Sequence, residues 1–368
     1  MSTTIAPTTT LQAIQTKVRR LTRSPSQAQL TDVDLQNYIN TFVVYDFPEH
    51  LRMFNQRTTY TFISSPGQDE YPTDIASFAG VTTNPLYDFQ NKYLTMHDPV
   101  YIAGYQSYFT QSREQFYGIY PLTNSIQSTQ IFGNGITQTF SGNLHTILGQ
   151  PGGGAVLLRK NVLFSAVDTN GNGLSLIDVP LVSLTTGNQT IEGNLYVPEN
   201  QPTIPPTTAA FDANNFINYV TGQFTITFPA PPRANHPIFS QTVPVMTGLP
   251  QALLFYDNTF YLRPVPAYPH TINFECYMRP TYILDTTANP QLNEWWQYIA
   301  YGAAKKIFED RMDIDSVQMI MPEYRKQENL CLRRTLVQYT NERTSTIYTE
   351  QTQLNSGNNG FGFGGGQF

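Results

Sequence analysis

The stretch LNEWWQYIAYGAAKKIF, Leu292–Phe308, decides how the fold of this chain is interpreted. Its apolar side chains recur at helical spacing and form one stripe, which a helix must bury against another element. The members of this stripe are Leu292, Trp296, Ile299, Ala303 and Ile307. Pro290 precedes the stripe, at a position where proline favours the start of a helix. The stretch therefore predicts a helix with one buried face.

A further helix is predicted downstream, over Pro322–Arg343. Asp313 or Asp315 is suited to capping a helix here, and Pro322 is expected to kink it or restart it. The apolar spacing continues to Leu336, which we therefore place in the core of the helical region.

The beginning of the chain carries a matching pattern. LQAIQTKVRRL, Leu11–Leu21, has one apolar face with its basic residues largely off it. Thr31–Asp34 is a variant capping box with Asp in place of Glu or Gln, and it predicts a second helix over Leu35–Val43. Isolated helices of this length are marginal in water, so we expect both chain ends to pack together as one helical bundle. The core positions at this end are Leu11, Ile14, Val18, Leu35 and Ile39.

Between these flanks the sequence changes character. It is dense in Gly, Pro, Asn and Thr, and short alternating or apolar runs are separated by turn signals. Of the 21 basic residues, those between Thr58 and Asp285 are Lys92, Arg113, Arg159, Lys160, Arg233, Arg263 and Arg279. This pattern predicts an antiparallel β-rich domain, sandwich or barrel-like.

The expected fold class is α+β, a helical bundle built from both termini with a large inserted β-rich domain. Residues 1–57 and 286–350 are assigned to a discontinuous helical core. Residues 58–285 form the insertion, and residues 351–368 form a flexible Gly-rich tail.

The tail has no apolar stripe with which to form its own core, yet it contains Phe361, Phe363 and Phe368. We expect these three rings to enter pockets of a partner protein or of a neighbouring copy. Arg333 and Arg334, on the predicted C-terminal helix, are candidates for the same binding role.

The composition limits the classes of function. Charged residues make up 13% of the chain, against roughly 25% in average globular proteins. The net charge of −6 argues against a chain-wide basic surface for nucleic acid. Cys276 and Cys331 alone give no disulfide framework, which is consistent with synthesis in a reducing cytoplasm. No apolar run reaches the length of about 18 residues that spans a bilayer, so no membrane partner is expected.

A search for catalytic motifs finds no phosphate loop, no HExxH and no GxSxG. Asp168–Gly173 matches the opening of a calcium loop, but Val179 stands where a bidentate Glu is required, so a β-turn is favoured over a metal site. Asp69 with Glu70, or Asp313 with Asp315, could serve as a glycosidase pair, although acids at turns and caps are commoner. We expect no catalytic residue, no metal and no cofactor.

Two parts of the chain resemble the head-to-tail connector proteins of tailed bacteriophages, a family that includes adaptor, gatekeeper and upper tail tubular proteins. One part is N-terminal, Ile14–Arg23 with Leu30–Ile39. The other comprises Leu262–Pro266, Tyr277–Thr281, Tyr301–Phe308 and Arg343–Tyr348.

This resemblance implies a structural virion protein and not an enzyme. Proteins of that family usually form a homo-dodecameric ring beneath the portal, which extends the DNA channel and seats the tail. The implied partners are further copies of the chain, the portal protein, tail nozzle or tail fibre proteins, and genomic DNA that slides through without sequence-specific binding. The implied location is the neck or tail of the virion, after assembly in the host cytoplasm.

Two other functions stay open at this point. The chain could be a tail-associated receptor- or carbohydrate-binding virion protein whose aromatic-rich β domain does the binding, or a tail-associated glycan hydrolase. Mass measurement separates the first from an adaptor, because an adaptor forms a large closed cyclic assembly. Hydrolysis would appear on a panel of host polysaccharides.

Overall fold

The structure is a computed structural model that describes residues 9–24, 26–147 and 155–358, with side chains of the last helix described as far as Leu336. It is a mixed α+β structure with a large β-rich domain. The chain divides into two compact units. A helical unit comprises Met1–Thr58 and Tyr277–Phe368, and a β unit comprises Thr59–Cys276.

The second boundary lies before the expected one at residues 285/286. The reason is that the segment ahead of Trp296 is bound to the N-terminal helices. The Asn40 side chain donates to the Ile283 carbonyl at 3.0 Å and accepts from the Ile283 amide at 2.8 Å. These two hydrogen bonds place Tyr277–Asp285 with the helical unit.

Eight α-helices lie in the described residues. They are α1 (Leu11–Leu21), α2 (Asp32–Thr41), α3 (Phe47–His50), α4 (Phe89–Lys92), α5 (Arg113–Ile119), α6 (Leu144–Ile147), α7 (Trp296–Asp310) and α8 (Ile314–Asn358).

The local sequence explains how the N-terminal helices begin. The predicted helix Leu11–Leu21 is confirmed. The Thr31 hydroxyl accepts from the Asp34 amide at 3.1 Å, so α2 begins three residues before its predicted start at Leu35. A π-helical turn, Phe42–Asp46, then joins α2 to α3.

Most of the buried apolar residues of α1, α2 and α7 share one hydrophobic cluster. The candidate core residues that are fully buried in it are Leu11, Ile14, Val18, Leu35, Ile39, Ile299 and Ile307. Trp296 is partly buried and packs against the same cluster.

Helix α8 departs from the sequence prediction in three ways. Asp313 caps it through the Ser316 amide at 3.1 Å, but Pro322 lies inside one continuous helix and does not restart it. The helix extends to Asn358, which lies within the segment 351–368 assigned to a flexible tail.

The placement of Leu336 in the core is also wrong, since its side chain is 60% exposed. The buried face of α8 carries Tyr324, Cys331 and Thr335 instead. Thr335 donates to the sulfur of Met53 at 3.3 Å. The predicted buried face was based on large apolar residues such as Leu336. It differs from the observed face because Cys331 and Thr335 were not considered as core residues.

The β strands are short and mostly antiparallel. They are β1 (Arg57–Ile63), β2 (Glu70–Pro72), β3 (Tyr93–Ile102), β4 (Tyr105–Thr110), β5 (Ser125–Phe132), β6 (Thr139–Asn143), β7 (Ala155–Leu157), β8 (Leu163–Val167), β9 (Gly173–Val182), β10 (Gln189–Tyr196), β11 (Phe216–Asn218), β12 (Gln223–Thr227), β13 (Pro237–Thr242), β14 (Pro244–Gly248), β15 (Ala252–Tyr256), β16 (Thr259–Arg263), β17 (Val265–Pro266) and β18 (Thr271–Met278).

In the described residues these strands form three sheets. A seven-stranded sheet has the order β1-β18-β3-β4-β15-β16-β2, and β4 and β15 pair in parallel. An eight-stranded sheet has the order β5-β13-β8-β9-β10-β11-β12-β6. A small sheet has the order β17-β14-β7.

The two large sheets have separate hydrophobic cores. The core of the seven-stranded sheet is rich in aromatic rings, among them Tyr60, Phe89 and Phe260. The Phe89 ring lies 4.8 Å from that of Tyr60 and 5.5 Å from that of Phe260, both edge-on. The core of the eight-stranded sheet contains Phe164 and Phe224, whose rings lie 4.7 Å apart.

Gly302 of α7 provides a test of packing in the helical unit. A Cβ at this position would overlap the ring of Phe42 in the π-helical turn. Ala is favoured over Gly in a helix by about 1 kcal/mol, yet we expect Gly302→Ala to lower the free energy of unfolding by about 1–3 kcal/mol because of this overlap. Tryptophan fluorescence during urea unfolding measures it, since Trp295 and Trp296 both belong to this unit.

Phe42→Leu supplies the control. The smaller side chain makes room for a methyl group. Gly302→Ala should therefore lower the free energy of unfolding by less in the Phe42→Leu variant than in the natural chain. An equal loss of unfolding free energy in the two proteins would show that overlap with the Phe42 ring does not cause the destabilisation.

Candidate functional site

Helix α8 presents an exposed face that combines apolar and basic side chains. We call it the basic face, and it consists of Arg325, Leu330, Leu332, Arg333 and Leu336, all exposed. Arg333 has no ion-pair partner within the described residues, and Arg334 beside it lies 3.8 Å from Glu294. Exposed leucines next to free guanidinium groups are typical of a surface that contacts another protein.

A second exposed patch of the helical unit has the opposite charge. We call it the acidic patch, and it consists of Val33, Asp34, Tyr282, Leu284 and Asp285. Leu284 is 78% exposed. The Gln36 side chain ties the two segments of the patch together, donating to the carbonyls of Ile283 at 2.8 Å and Leu284 at 3.1 Å.

The remaining residues assigned from sequence to partner binding were Phe361, Phe363 and Phe368. They lie outside the residues that the structure describes.

Several charged side chains of the β unit form one network. Arg263 donates to Asp69 at 3.1 Å, and both side chains are almost completely buried. Next to Asp69 in the chain, Glu70 accepts from Lys160 at 2.7 Å. Burial raises the pKa of Glu70, and the charge of Asp69 adds to the rise, while Lys160 opposes it. The two acids considered as a glycosidase pair are thus each held by a cation.

Arg159 is the most deeply buried cation of the network, at 1% exposure. Its guanidinium donates to the Gly67 carbonyl and, at 2.9 and 3.0 Å, to the Thr190 carbonyl. It also lies 5.4 Å from the centre of the Tyr219 ring. Burial lowers the pKa of Arg159, although nearby acids oppose this shift. Gly67 has a φ of +69°, which glycine adopts at little cost.

Asp178 completes this network. Its carboxylate accepts from the Lys160 amide at 2.6 Å, the Val162 amide at 2.8 Å and the Tyr219 hydroxyl at 2.8 Å. Burial raises the pKa of Asp178 to about 6, and the three donors oppose this rise.

A cavity of about 240 Å³ opens beside the network. Four parts of the β unit that are distant in sequence supply its walls: the start of β2, helix α5, the segment after β7, and the β15–β16 hairpin. The polar side chains that line it are Asp69, Glu70, Arg113, Tyr117, Lys160, Asn161, Tyr256, Asp257 and Tyr261.

Arg113 is held at this cavity by aromatic rings. Its guanidinium carbon lies 5.6 Å from the centre of the Tyr117 ring and 5.7 Å from that of Tyr256. In the described part of the chain, Arg113 makes no ion pair, and its guanidinium donates no hydrogen bond. Burial raises the pKa of Tyr261 to about 12, and Glu70 contributes to the rise, so its hydroxyl stays protonated.

The calcium-like segment forms a turn between β8 and β9. Asp168 accepts from the amides of Asn170 and Asn172, both at 2.8 Å. These hydrogen bonds close the turn predicted for Asp168–Gly173. Within residues 9–24, 26–147 and 155–358, no group of three or more His, Cys, Asp or Glu side chains is placed to hold a metal ion.

Comparisons with known proteins give no family assignment. No protein-family model matches the chain, and no curated protein matches its sequence. In the described residues, no helix combines the length and hydropathy needed to cross a bilayer.

Sequence reasoning did not find the cavity. Its arginine and tyrosines come from separate segments and follow no motif. One signal was available, because Arg113, Lys160 and Arg263 are three of the seven basic residues in a stretch of more than two hundred. Scarce charges inside a β-rich domain are candidates for a shared site.

The raised pKa of Asp178 predicts how the stability of the protein changes with pH. The folded pKa of Asp178, about 6, exceeds its ordinary value of 3.8, so the folded state binds this proton more tightly. Ionising Asp178 should therefore lower the free energy of unfolding as the pH rises from about 4 to about 7, by about 3 kcal/mol. Asp178→Asn removes this titration. Relative to the natural chain, the variant should gain stability across that range.

Urea unfolding followed by far-UV circular dichroism at a series of pH values measures the difference. Asp212→Asn, a change outside the network, serves as the matched control and should leave the pH profile unchanged. A stability difference between Asp178→Asn and the natural chain that stays constant with pH would contradict the assignment.

Proposed function

We propose that this chain is a structural virion protein, a head-to-tail adaptor that forms a ring beneath the portal of a tailed bacteriophage. In this proposal both chain ends build a helical bundle that forms the ring, and the β unit is an insertion, sandwich or barrel-like, carried by it. The observation that carries the proposal is that one helical unit exposes two different apolar patches of opposite charge.

Two unlike patches favour a cyclic assembly. In a two-fold dimer the same surface patch of both subunits forms the interface. The basic face of one copy would then contact the basic face of the other. A head-to-tail contact instead brings the basic face of one copy to the acidic patch of the next. Such contacts generate a ring when the rotation closes. The exposed leucines of both patches would be buried in every contact.

The length of α8 supports the same proposal. The helix has 45 residues, which corresponds to about 67 Å at 1.5 Å per residue. Its buried side chains in the described part, such as Tyr324 and Cys331, serve the core of its own unit. Its exposed face remains available to a neighbouring copy, and we propose that Arg333 and Arg334 act there.

The other partners are proposed on the resemblance and on composition. The portal would bind the helical unit, and tail nozzle or fibre proteins would bind the β unit, whose many tyrosines suit an interface. Genomic DNA would pass through the ring without sequence-specific contacts, as suits a chain with a net charge of −6.

Charge reversal tests the ring contact. Arg333→Glu with Arg334→Glu should prevent assembly, and so should Asp34→Lys with Asp285→Lys, because each change brings like charges together. Mixing the two variants should restore assembly, since every contact then joins opposite charges. Sedimentation analysis and native mass spectrometry, with and without purified portal protein, measure the size of the complex.

The matched control is Lys92→Glu with Arg233→Glu, a double reversal at exposed sites of the β unit, which should assemble normally. A natural chain that stays monomeric with portal present would refute the proposal. If neither charge-reversal variant changes assembly, the proposed contact between the basic face and the acidic patch is wrong. Immunogold labelling of purified particles should place the protein at the junction of head and tail.

A further inference from the structure

The first turns of α8 expose apolar side chains that the ring contact described above does not use. Met312, just before the helix, is 87% exposed, Ile314 is 68% exposed and Met319 is 73% exposed. At about 100° per residue, Ile314, Asp315, Met319 and Pro322 lie within an arc of about 140° on the helix. All four are exposed, and we call them, together with Met312, the methionine face. Exposed apolar faces of this kind are typical of contacts with another protein.

Met312 has a backbone conformation that favours glycine. Its φ is +57°, and it follows the end of α7, where its amide donates to the Glu309 carbonyl at 3.0 Å. A residue before a helix cap often packs on the residue five positions later, here Val317. A side chain that is 87% exposed gains little from such packing. Met312 thus combines backbone strain with an exposed apolar surface, and a contact with another molecule would offset both.

The methionine face is acidic. Asp315 is exposed on it, and Asp313 beside it caps α8 through the Ser316 amide at 3.1 Å. The nearby Arg311 is directed elsewhere, since its guanidinium donates to the Ser24 hydroxyl at 3.1 Å. The methionine face therefore suits a partner surface that is apolar and basic.

The helical unit has such a surface along α1. A groove of about 610 Å³ runs from Thr10 to Arg20, and none of the described residues that line it is acidic. Lys17 and Arg20 supply its positive charge, and the Trp296 indole supplies an aromatic surface, which methionine sulfur contacts favourably. The ten residues correspond to about 15 Å of helix, and Ile314–Pro322 to about 12 Å, so the lengths match.

The cations of this groove are available to another molecule. Within the described residues, neither Lys17 nor Arg20 forms an ion pair. Glu323 lies within electrostatic range of Lys17, but its carboxylate already accepts from Lys326 at 3.4 Å and from Gln327 at 3.0 Å. Both cations can therefore attract an acidic side chain of a second chain.

The methionine face and the groove each adjoin a surface of the proposed ring contact. The methionine face lies on the same helix as the basic face. Thr287 lines the groove, and its amide and hydroxyl both donate to Asp285 of the acidic patch at 2.8 Å. A neighbour whose acidic patch covers the basic face thus also carries a basic groove that can receive the acidic methionine face.

We propose that the methionine face of one copy binds in the α1 groove of the next copy, with the methionines against Trp296 and with Asp315 paired to Arg20. This second contact rests on the proposed head-to-tail assembly and adds a charge-matched region to it.

Cysteine crosslinking between copies tests the contact. Met312→Cys and Thr16→Cys are made in separate chains, mixed with and without purified portal protein, and treated with a short bismaleimide. A crosslinked pair should form in the mixture and in neither variant alone. The natural chain is one control, because Cys276 and Cys331 are buried. Ile136→Cys mixed with Thr16→Cys is the other, and this 83% exposed site of the β unit should give no crosslink.

Sedimentation of the same samples separates the two proposals. A ring without the crosslink would overturn the second contact and leave the ring intact. Crosslinked chains without a closed ring would support the contact and refute the ring. Samples with neither would overturn both.

Met312→Gly separates binding from stability. Glycine adopts the φ of this position freely, so the midpoint of urea unfolding, followed by tryptophan fluorescence, should stay equal or rise. The protein concentration at half-assembly should rise at least tenfold. Ile136→Gly, the matched control, should assemble normally. A lower urea midpoint with unchanged assembly would show that Met312 serves its own unit only.

Charge reversal supplies a second test if Met312→Gly does not fold. Asp315→Arg and Arg20→Asp should each weaken assembly at least tenfold, and mixing them should restore it, because the contacts between the two variants join opposite charges. Unchanged assembly of both folded variants would overturn the contact.

Discussion

Buried apolar side chains of α1, α2 and α7 pack into one hydrophobic cluster, and this shared core is the constraint on which the helical unit depends. Neither Leu11–Leu21 nor Trp296–Asp310 could bury its apolar stripe alone, and each supplies the surface that the other lacks. The backbone joins them as well, since the amides of Leu11 and Gln12 donate to the carbonyls of Ala288 and Thr286, both at 3.0 Å. The chain between them must leave this unit and return to it. The strands that begin and end the excursion, β1 and β18, are neighbours in one sheet.

The sequence predicted those parts of the fold that depend on interactions between residues close together in the chain. The cap at Thr31 and the apolar face of α1 are local, and both were found. The buried face of α8 was missed because Thr335 is recognised as a core residue only when Met53 is known to contact it, and Cys331 only when the rest of its cluster is known. The cavity was missed for a stronger reason, since its ion pair joins Asp69 to Arg263 across 194 positions of sequence. A pairing between residues so far apart in the chain leaves no periodic pattern in the sequence.

The charge network also shows how the β unit uses a sparse supply of ionic groups. A buried ion pair seldom adds much net stability, because desolvation of both ions offsets their attraction. Asp69 and Arg263 therefore need another role than stabilisation. Their attraction joins the start of β2 to β16. Arg159 joins the loop at Gly67 to strand β10 by donating hydrogen bonds to the carbonyls of Gly67 and Thr190. Satisfied polar networks of this kind rigidify the segments that they join and specify one arrangement of them.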